Sequence, residues 1–499
     1  MNGGVGKSGV SAFKWSAIST VARFGLQLIA QVVLARLLGP GNYGVFGIGM
    51  VVLTFSAFVS NLGFAWNLLH RPTVSDEDVR FAFTWQLIMG LLTMLILWLG
   101  APWLADYFRE PKVEPVIRWL SLACVMSGLA STSSNLMQRA LNFRAVGLIQ
   151  VFSYAVGYLV VGIPMALLGF GVNALVAAWL IQAGIAMAAG FYVHPHPVKP
   201  LFHYSGTKTA MGQSGTVFLT NIVNWWLNNL DRVVLGRMLD VHAVGFYSAG
   251  YNLATMPNSL LLNALQPSFM AAASRMQADK ERLKRAYLQI LATIWALTLP
   301  AFVVMSVLAS SLVQFLYGAL WSETGIILTI LFLGMPAYVT WGISTPVLWN
   351  SGRKKHEFLC QIPVLLVGGL VFYIAAGYGV FAIAAVSSLL LVGRMLAVAV
   401  PACRALDVHF HELLPYLVGG TWLSVLAGGA AWIGKWLGMQ LGFALASLIL
   451  GSLFSLVTLL AAIYLRPRFI GPLTVQMLLR FSPRLEPLLV SRPGLSKET

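Results

Sequence analysis

Apolar runs of about 20 residues follow one another along the chain, separated by short polar breaks. They predict spans at 12–38, 43–68, 81–107, 116–137, 146–168, 172–193, 209–239, 244–268, 287–315, 323–348, 361–378, 380–403, 415–436 and 443–465. Each can cross a hydrocarbon core of ~30 Å as a helix. The expected fold is therefore all-α, a polytopic membrane protein of about 14 transmembrane helices. Only Gly377, Tyr378 and Gly379 divide the eleventh span from the twelfth. Ser75-Asp76-Glu77-Asp78 reads as a helix start with a serine cap. Residues 270–289 read as an amphipathic basic helix lying on the inner leaflet.

A repeat lies within this pattern. Val32-Val33-Leu34-Ala35-Arg36-Leu37-Leu38 matches Val233-Val234-Leu235-Gly236-Arg237-Met238-Leu239 at an offset of 201, and Gly44 then falls over Gly245. Six spans separate the copies, so both run the same way through the membrane, as in transporters built from parallel repeats. The expected plan is two six-helix lobes, 1–193 and 209–403, joined by a cytoplasmic linker at 194–208. Two extra transmembrane helices at 404–465 and a basic cytoplasmic tail at 466–499 follow.

Polar residues inside the spans share the repeat. Arg23, Gln27 and Gln31 recur every fourth position, on one helical face. Shifted by 201 they land on Asn224, Asn228 and Arg232, with Asp231 beside the last. Matched stripes are expected where two equivalent helices line a shared water-filled cleft, since an ionisable group in hydrocarbon is costly. Asn61 in the second span and Tyr251, Asn252 and Thr255 in the eighth add amide and hydroxyl groups suited to sugars. Arg23 and Arg232 are the candidate anion ligands, because a guanidinium offers two parallel donors to phosphate oxygens. Asp231 is the candidate coupling group, by compensating Arg232 or taking up a proton. Arg394 stands nine residues before the cytoplasmic end of its span, within reach of the interface by snorkelling.

Composition agrees with the membrane reading: 58% of residues are hydrophobic, 10% are charged, and no long polar segment is present. The net charge of +16 does not point to nucleic acid, because the basic residues sit in loops of one parity. Twenty-three of the 32 Lys and Arg fall on the face that holds both termini, six on the other, and Arg23, Arg232 and Arg394 within spans. The positive-inside rule makes that face cytoplasmic. The N-terminal apolar stretch is expected to remain as the first span. Three cysteines, an odd number, give no disulfide framework and read as reduced structural residues.

Several motifs mimic chemistry. Gly3-Gly4-Val5-Gly6-Lys7-Ser8 ends like a phosphate-binding loop but lacks its first glycine and a preceding strand. His194-Pro195-His196-Pro197 and His409-Phe410-His411-Glu412 sit at span ends, where a kinked linker and an interfacial turn account for them. No metal, no cofactor and no enzymatic activity are expected. The outer loops are too short to build the active site of a polymerase, ligase or glycosyltransferase. A drug or cation antiporter would be expected to line its cleft with acids, and Asp231 stands alone there.

Four stretches resemble the Wzx-type polysaccharide flippases, within the superfamily that also holds multidrug extruders and the lipid II flippase. They are Ala35-Arg36-Leu37-Leu38-Gly39-Pro40-Gly41-Asn42-Tyr43-Gly44, Leu136-Met137-Gln138-Arg139-Ala140-Leu141-Asn142-Phe143, the run 168–177, and Asn229-Leu230-Asp231-Arg232-Val233-Val234-Leu235-Gly236-Arg237. The likeness covers roughly residues 10–400 and is similar to the exopolysaccharide branch serving colanic-acid-like or xanthan-like polymers. That family often carries Asn where Arg232 stands, while Asp231 matches. The resemblance implies a V-shaped bundle in the bacterial inner membrane. It would move undecaprenyl-pyrophosphate-linked oligosaccharide by alternating access, with membrane lipids and the pathway's polymerase, chain-length and export proteins as partners.

Overall fold

The computed structural model describes residues 3–60, 68, 73–204, 215–276 and 279–465. Helices account for nearly all of them: α1 (Gly3–Ser60), α2 (Asp76–Phe108), α3 (Val113–Arg139), α4 (Phe143–Leu167), α5 (Val172–Val193), α6 (Gly215–Met238) and α7 (Val241–Arg275). After them come α8 (Lys280–Leu316), α9 (Ser322–Asn350), α10 (Lys354–Ala376), α11 (Val380–Ala405), α12 (Phe410–Gln440) and α13 (Ala444–Leu465). Eleven helices among the described residues are long and apolar enough to cross a membrane. The chain is a multi-pass, all-α membrane protein.

Local chemistry explains the boundaries. α1 spans the first expected segment and the second as far as Ser60, and bends at Gly39, whose φ of 70° suits glycine, followed by Pro40. Ser75 caps α2: its hydroxyl accepts from the Asp78 backbone N–H at 3.2 Å, and the Asp78 carboxylate accepts from the Ser75 N–H at 2.9 Å. Gly379, at φ 90°, separates α10 from α11 where the sequence predicts a break. Within α4, residues Ala155–Gly162 form a π-helical segment, which no feature of the sequence announced.

The expected surface helix at 270–289 does not form. α7 ends at Arg275, Asp279 caps α8 by accepting from the Arg282 N–H at 2.9 Å, and Lys280 to Arg285 open a 37-residue helix. Its two lysines have acidic partners at the start of α12: Lys280 pairs with Asp407 in the preceding turn, and Lys284 with Glu412 in the first turn at 2.9 Å. An acidic cap thus breaks what hydrophobic periodicity alone joins.

The chain divides into two compact units, residues 1–248 and 249–499. Inside the first, the repeat has a physical meaning. A Cβ on Gly44 would lie 1.7 Å from the Val241 carbonyl oxygen, and one on Gly245 2.0 Å from that of Pro40. Each would also come within 3.1 Å of the other glycine's backbone nitrogen. Gly41 faces His242 and Gly47 faces Ser248, each at 3.1 Å. Gly44 and Gly245, Gly41 and His242, and Gly47 and Ser248 are each 201 residues apart. Two helices that meet their own equivalents on successive turns run parallel about an axis along their length; an antiparallel pair does so only once. The seam between α1 and the start of α7 is therefore a local parallel dyad.

A strap at 194–204 lies on α2. Arg80 donates to the carbonyls of Lys199 at 3.0 Å and Pro200 at 3.3 Å, Trp85 to that of Phe202 at 3.2 Å, and the Leu201 N–H to Thr84 at 2.9 Å. His196 packs between Phe83 and Phe191, with ring centroids 5.1 and 5.2 Å away. Burial lowers its pKa from the ordinary 6.5.

The second unit has a core of aromatic and branched side chains from α8, α9 and α11, including Tyr287, Trp295, Val339, Ile343, Val347 and Val398. Two polar pairs cross it: Tyr287 with Ser344 at 2.8 Å, and Trp295 to Thr340 at 2.9 Å.

Candidate anion-binding site

Arg23 is half-buried on α1, and its Nη1 donates to Oε1 of Gln150 on α4 at 3.1 Å. Among the described residues that neutral amide is its hydrogen-bond partner, and no carboxylate pairs with it. One turn beyond Gln150, Tyr154 lies within electrostatic reach of Arg23 and stacks on Tyr158, ring centroids 4.4 Å apart. Arg144, at the start of α4, covers the Trp15 ring at 4.9 Å. Gln27 and Gln31 are half-buried along the same stripe, and the Gln31 carbonyl accepts from the Tyr43 hydroxyl at 3.2 Å.

The matching stripe on α6 is built differently. Arg232 donates from Nη2 to the Asn228 carbonyl at 3.0 Å, and its Nε lies 3.8 Å from Oδ1 of Asp231. Asp231 is buried, accepts from the Arg232 backbone N–H at 2.8 Å and receives the hydroxyl of fully buried Tyr247. Asn224 is half-buried one turn before Asn228. Next to Asn224, Trp225 packs on Phe55 at 4.7 Å and donates to Thr54 at 3.3 Å. The structure thus joins Asp231, Arg232 and Asn228 in one group and gives Arg23 a separate partner.

Tyr251, Asn252 and Thr255 belong to the second unit, where the Thr255 hydroxyl donates to the Tyr251 carbonyl at 2.9 Å and Asn252 is exposed. Asn61 lies outside the described residues. Among the described residues no group of three or more His, Cys, Asp or Glu is placed to hold a metal.

A family described as polysaccharide biosynthesis proteins matches residues 33–325, more than half of the chain. The chain belongs to that family. It is 24% identical over 376 residues to the lipopolysaccharide biosynthesis protein WzxC of Escherichia coli K12, covering 72% of this chain and 75% of the relative. To the succinoglycan biosynthesis transport protein ExoT of Rhizobium meliloti it is 25% identical, covering 69% of each. The teichuronic acid biosynthesis protein TuaB of Bacillus subtilis is 22% identical, over 91% of this chain and 95% of its own. Among solved structures, the lipid II flippase MurJ in an inward closed conformation superposes with a TM-score of 0.70. At 14% identity over 91% of this chain and 99% of that one, this likeness shows the fold.

One feature of this family member runs against the sequence reading. Arg394 does not snorkel; it is 1% exposed inside the second unit. Its Nε donates to Oε1 of Gln361 at 3.0 Å, and its guanidinium carbon lies 3.7 Å from the centre of the Trp341 ring. Gln361 turns its amide NH2 to the Glu357 carbonyl at 3.3 Å and carboxylate at 3.5 Å. Glu357, also 1% exposed, accepts from Trp349 and from Thr345 at 3.4 Å. A charge that finds an acid and an amide on the neighbouring helix has no reason to reach for the interface.

Sequence reasoning singled out Arg394 but missed Gln150, Gln361 and Glu357. Gln150 is a lone polar residue in an apolar run, and Glu357 follows Arg353, Lys354 and Lys355 closely enough to read as loop charge. The usable signal was the spacing of Glu357 and Gln361, one helical turn apart at the head of a span.

Proposed function

We propose that this protein is a flippase that carries undecaprenyl-pyrophosphate-linked oligosaccharide repeat units from the cytoplasmic to the periplasmic leaflet of the inner membrane, for exopolysaccharide synthesis. The names of its relatives support transport in polysaccharide synthesis rather than catalysis, and its fold is that of a lipid II flippase. The observation that carries the reading is Arg23, a guanidinium in a membrane-spanning helix whose partner is a neutral amide. Its charge is left for an anion. Pyrophosphate oxygens match the guanidinium's parallel donors. Gln27, Gln31, Asn61, Asn224, Asn228, Tyr251, Asn252 and Thr255 would line the path for the sugars, and Arg232 with Asp231 would form a second, charge-balanced contact able to couple transport to a proton.

In this reading both termini are cytoplasmic, and lobes 1–193 and 209–403 alternate access around the bound headgroup while the prenyl tail stays in lipid. Rocking around a bound headgroup avoids the cost of dragging a charged sugar phosphate through hydrocarbon. Outward movement of the anion against an inside-negative potential is favourable by about 2.3 kcal/mol per charge per 100 mV. The test is the sidedness of lipid-linked oligosaccharide after depletion of the protein, read with an impermeant sugar-binding probe on spheroplasts. Complete repeat units trapped on the cytoplasmic face are expected. Complete units reaching the outer face would overturn the reading in favour of a polymerase or ligase, and truncated units in favour of a glycosyltransferase.

A further inference from the structure

Gln150 and Gln361 occupy the same place in the two units. The turn before α4 has the Ala140 N–H on the Leu136 carbonyl at 3.0 Å and the Asn142 N–H on that of Met137 at 2.9 Å, around Leu141 at φ 55°. The turn before α10 repeats it, with Ser351 on Val347 and Arg353 on Leu348, both at 2.9 Å, around Gly352 at φ 72°. All of these positions are offset by 211, and so are Gln150 and Gln361.

Each glutamine accepts a hydrogen bond from an arginine: Arg23 at 3.1 Å in the first unit, Arg394 at 3.0 Å in the second. The arginines come from different helices, α1 and α11, so the glutamine is the common element. What differs is the residue one turn earlier. The second unit has Glu357 there; the first has Val146. With the carboxylate the arginine is fully buried, and without it the arginine is half-exposed.

We propose that Gln150 is the positioning residue of a pyrophosphate site, holding the Arg23 guanidinium with an uncharged acceptor, and that Gln361, Arg394 and Glu357 are the charge-silenced form of the same device. The inference rests on the reading of Arg23 as an anion ligand given above. A neutral amide orients the guanidinium through one donor while leaving its positive charge uncancelled. A carboxylate at either Gln150 or Val146 would hold it equally well and cancel it. The absence of an acid at position 146 is, on this account, a functional requirement.

The test uses the full-length purified protein and inorganic pyrophosphate as the probe, with binding measured by calorimetry. Gln150→Glu is nearly isosteric and keeps an acceptor for Arg23, and Val146→Glu installs the carboxylate of the second unit. Each is expected to lower pyrophosphate affinity about tenfold or more. Val146→Gln is expected to leave it unchanged and controls for size and polarity. Gln150→Ala should weaken binding less than Gln150→Glu, because it removes orientation but not charge. Thermal unfolding of each variant excludes misfolding as the cause. Equal affinity in Gln150→Glu and the wild-type protein, or in Val146→Glu and Val146→Gln, would overturn the proposal, as would a wild-type protein that does not bind pyrophosphate. A protein that binds pyrophosphate in this pattern yet moves no lipid-linked oligosaccharide would uphold the site and remove the flippase reading.

Discussion

The stripes on α1 and α6 hold corresponding places in the repeat, yet they handle charge in opposite ways. Arg23 stands where α6 has Asn224, and Arg232 where α1 has Gln31. Arg232 lies beside a buried carboxylate that also receives a tyrosine hydroxyl. Among the described residues, Arg23 is tied to an amide. Beyond the stripes along the chain, the glycine seam is the same from both sides, Gly44 meeting Val241 and Gly245 meeting Pro40. The repeat thus keeps its packing where two helices must touch and lets its charges diverge where they line a polar face. A close backbone approach tolerates no side chain on either copy, whereas a polar face accepts any arrangement whose charges are balanced or serve a ligand.

The comparison can be broken at its strongest joint first. If balanced arginines depend on their acids, Glu357→Leu should destabilise the protein by about 3–5 kcal/mol by leaving Arg394 buried and uncompensated. Adding Arg394→Leu should recover most of that loss in thermal unfolding. A double variant no more stable than the single would show that the trio is not held by charge balance. Next, Gly44→Val and Gly245→Val should each cost about 3 kcal/mol through overpacking, and by similar amounts, because the seam is symmetric. A large loss from one with none from the other would refute the local dyad.

The arginines themselves come third. Arg23→Ala should slow transport about tenfold or more at normal protein levels, the loss expected for one charge-assisted contact to the substrate. Arg232→Ala should slow it less, since that charge is already compensated. The reverse order would exchange the roles of the two stripes. The smallest effect separates these arginines from pH. Guanidinium groups stay charged throughout the physiological range, so a mild pH effect is expected from the strap. Burial depresses the His196 pKa, so the folded strap favours the neutral ring. Its contribution is complete above the ordinary value of 6.5 and declines as pH falls through the lowered folded value. Proteolysis of the 194–204 segment should therefore quicken on acidification, and His196→Phe should remove that dependence.

Much of the architecture was legible because membrane burial writes itself in long apolar runs. The Gly39-Pro40 bend, the Ser75 cap and the division at Gly379 each follow from local backbone chemistry. The repeat was visible because Gly44 and Gly245 are fixed by contact. The candidate site was less legible. Arg23 and Arg232 stood out as charges in apolar spans, but their partners come from residues that hydropathy treats as noise or as loop. Gln150 is 127 positions from Arg23, and Gln361 is 33 from Arg394. Such pairings are decided by which helix faces meet, which one-dimensional periodicity does not encode. The same limit joined residues 270–289 into one expected helix, because the Asp279 cap is a single polar atom in an otherwise periodic stretch.

The most direct test is translocation by the purified protein in liposomes loaded with fluorescent undecaprenyl-pyrophosphate oligosaccharide from the producing cell, comparing wild type, Arg23→Lys and Arg23→Ala. Quenching from outside with an impermeant reductant reports how much substrate has crossed. The account predicts movement in the wild-type protein, partial movement with lysine, and a fall of about tenfold or more with alanine. Wild-type rates in the Arg23→Ala protein would contradict the central claim that an uncompensated guanidinium on the first helix carries the pyrophosphate.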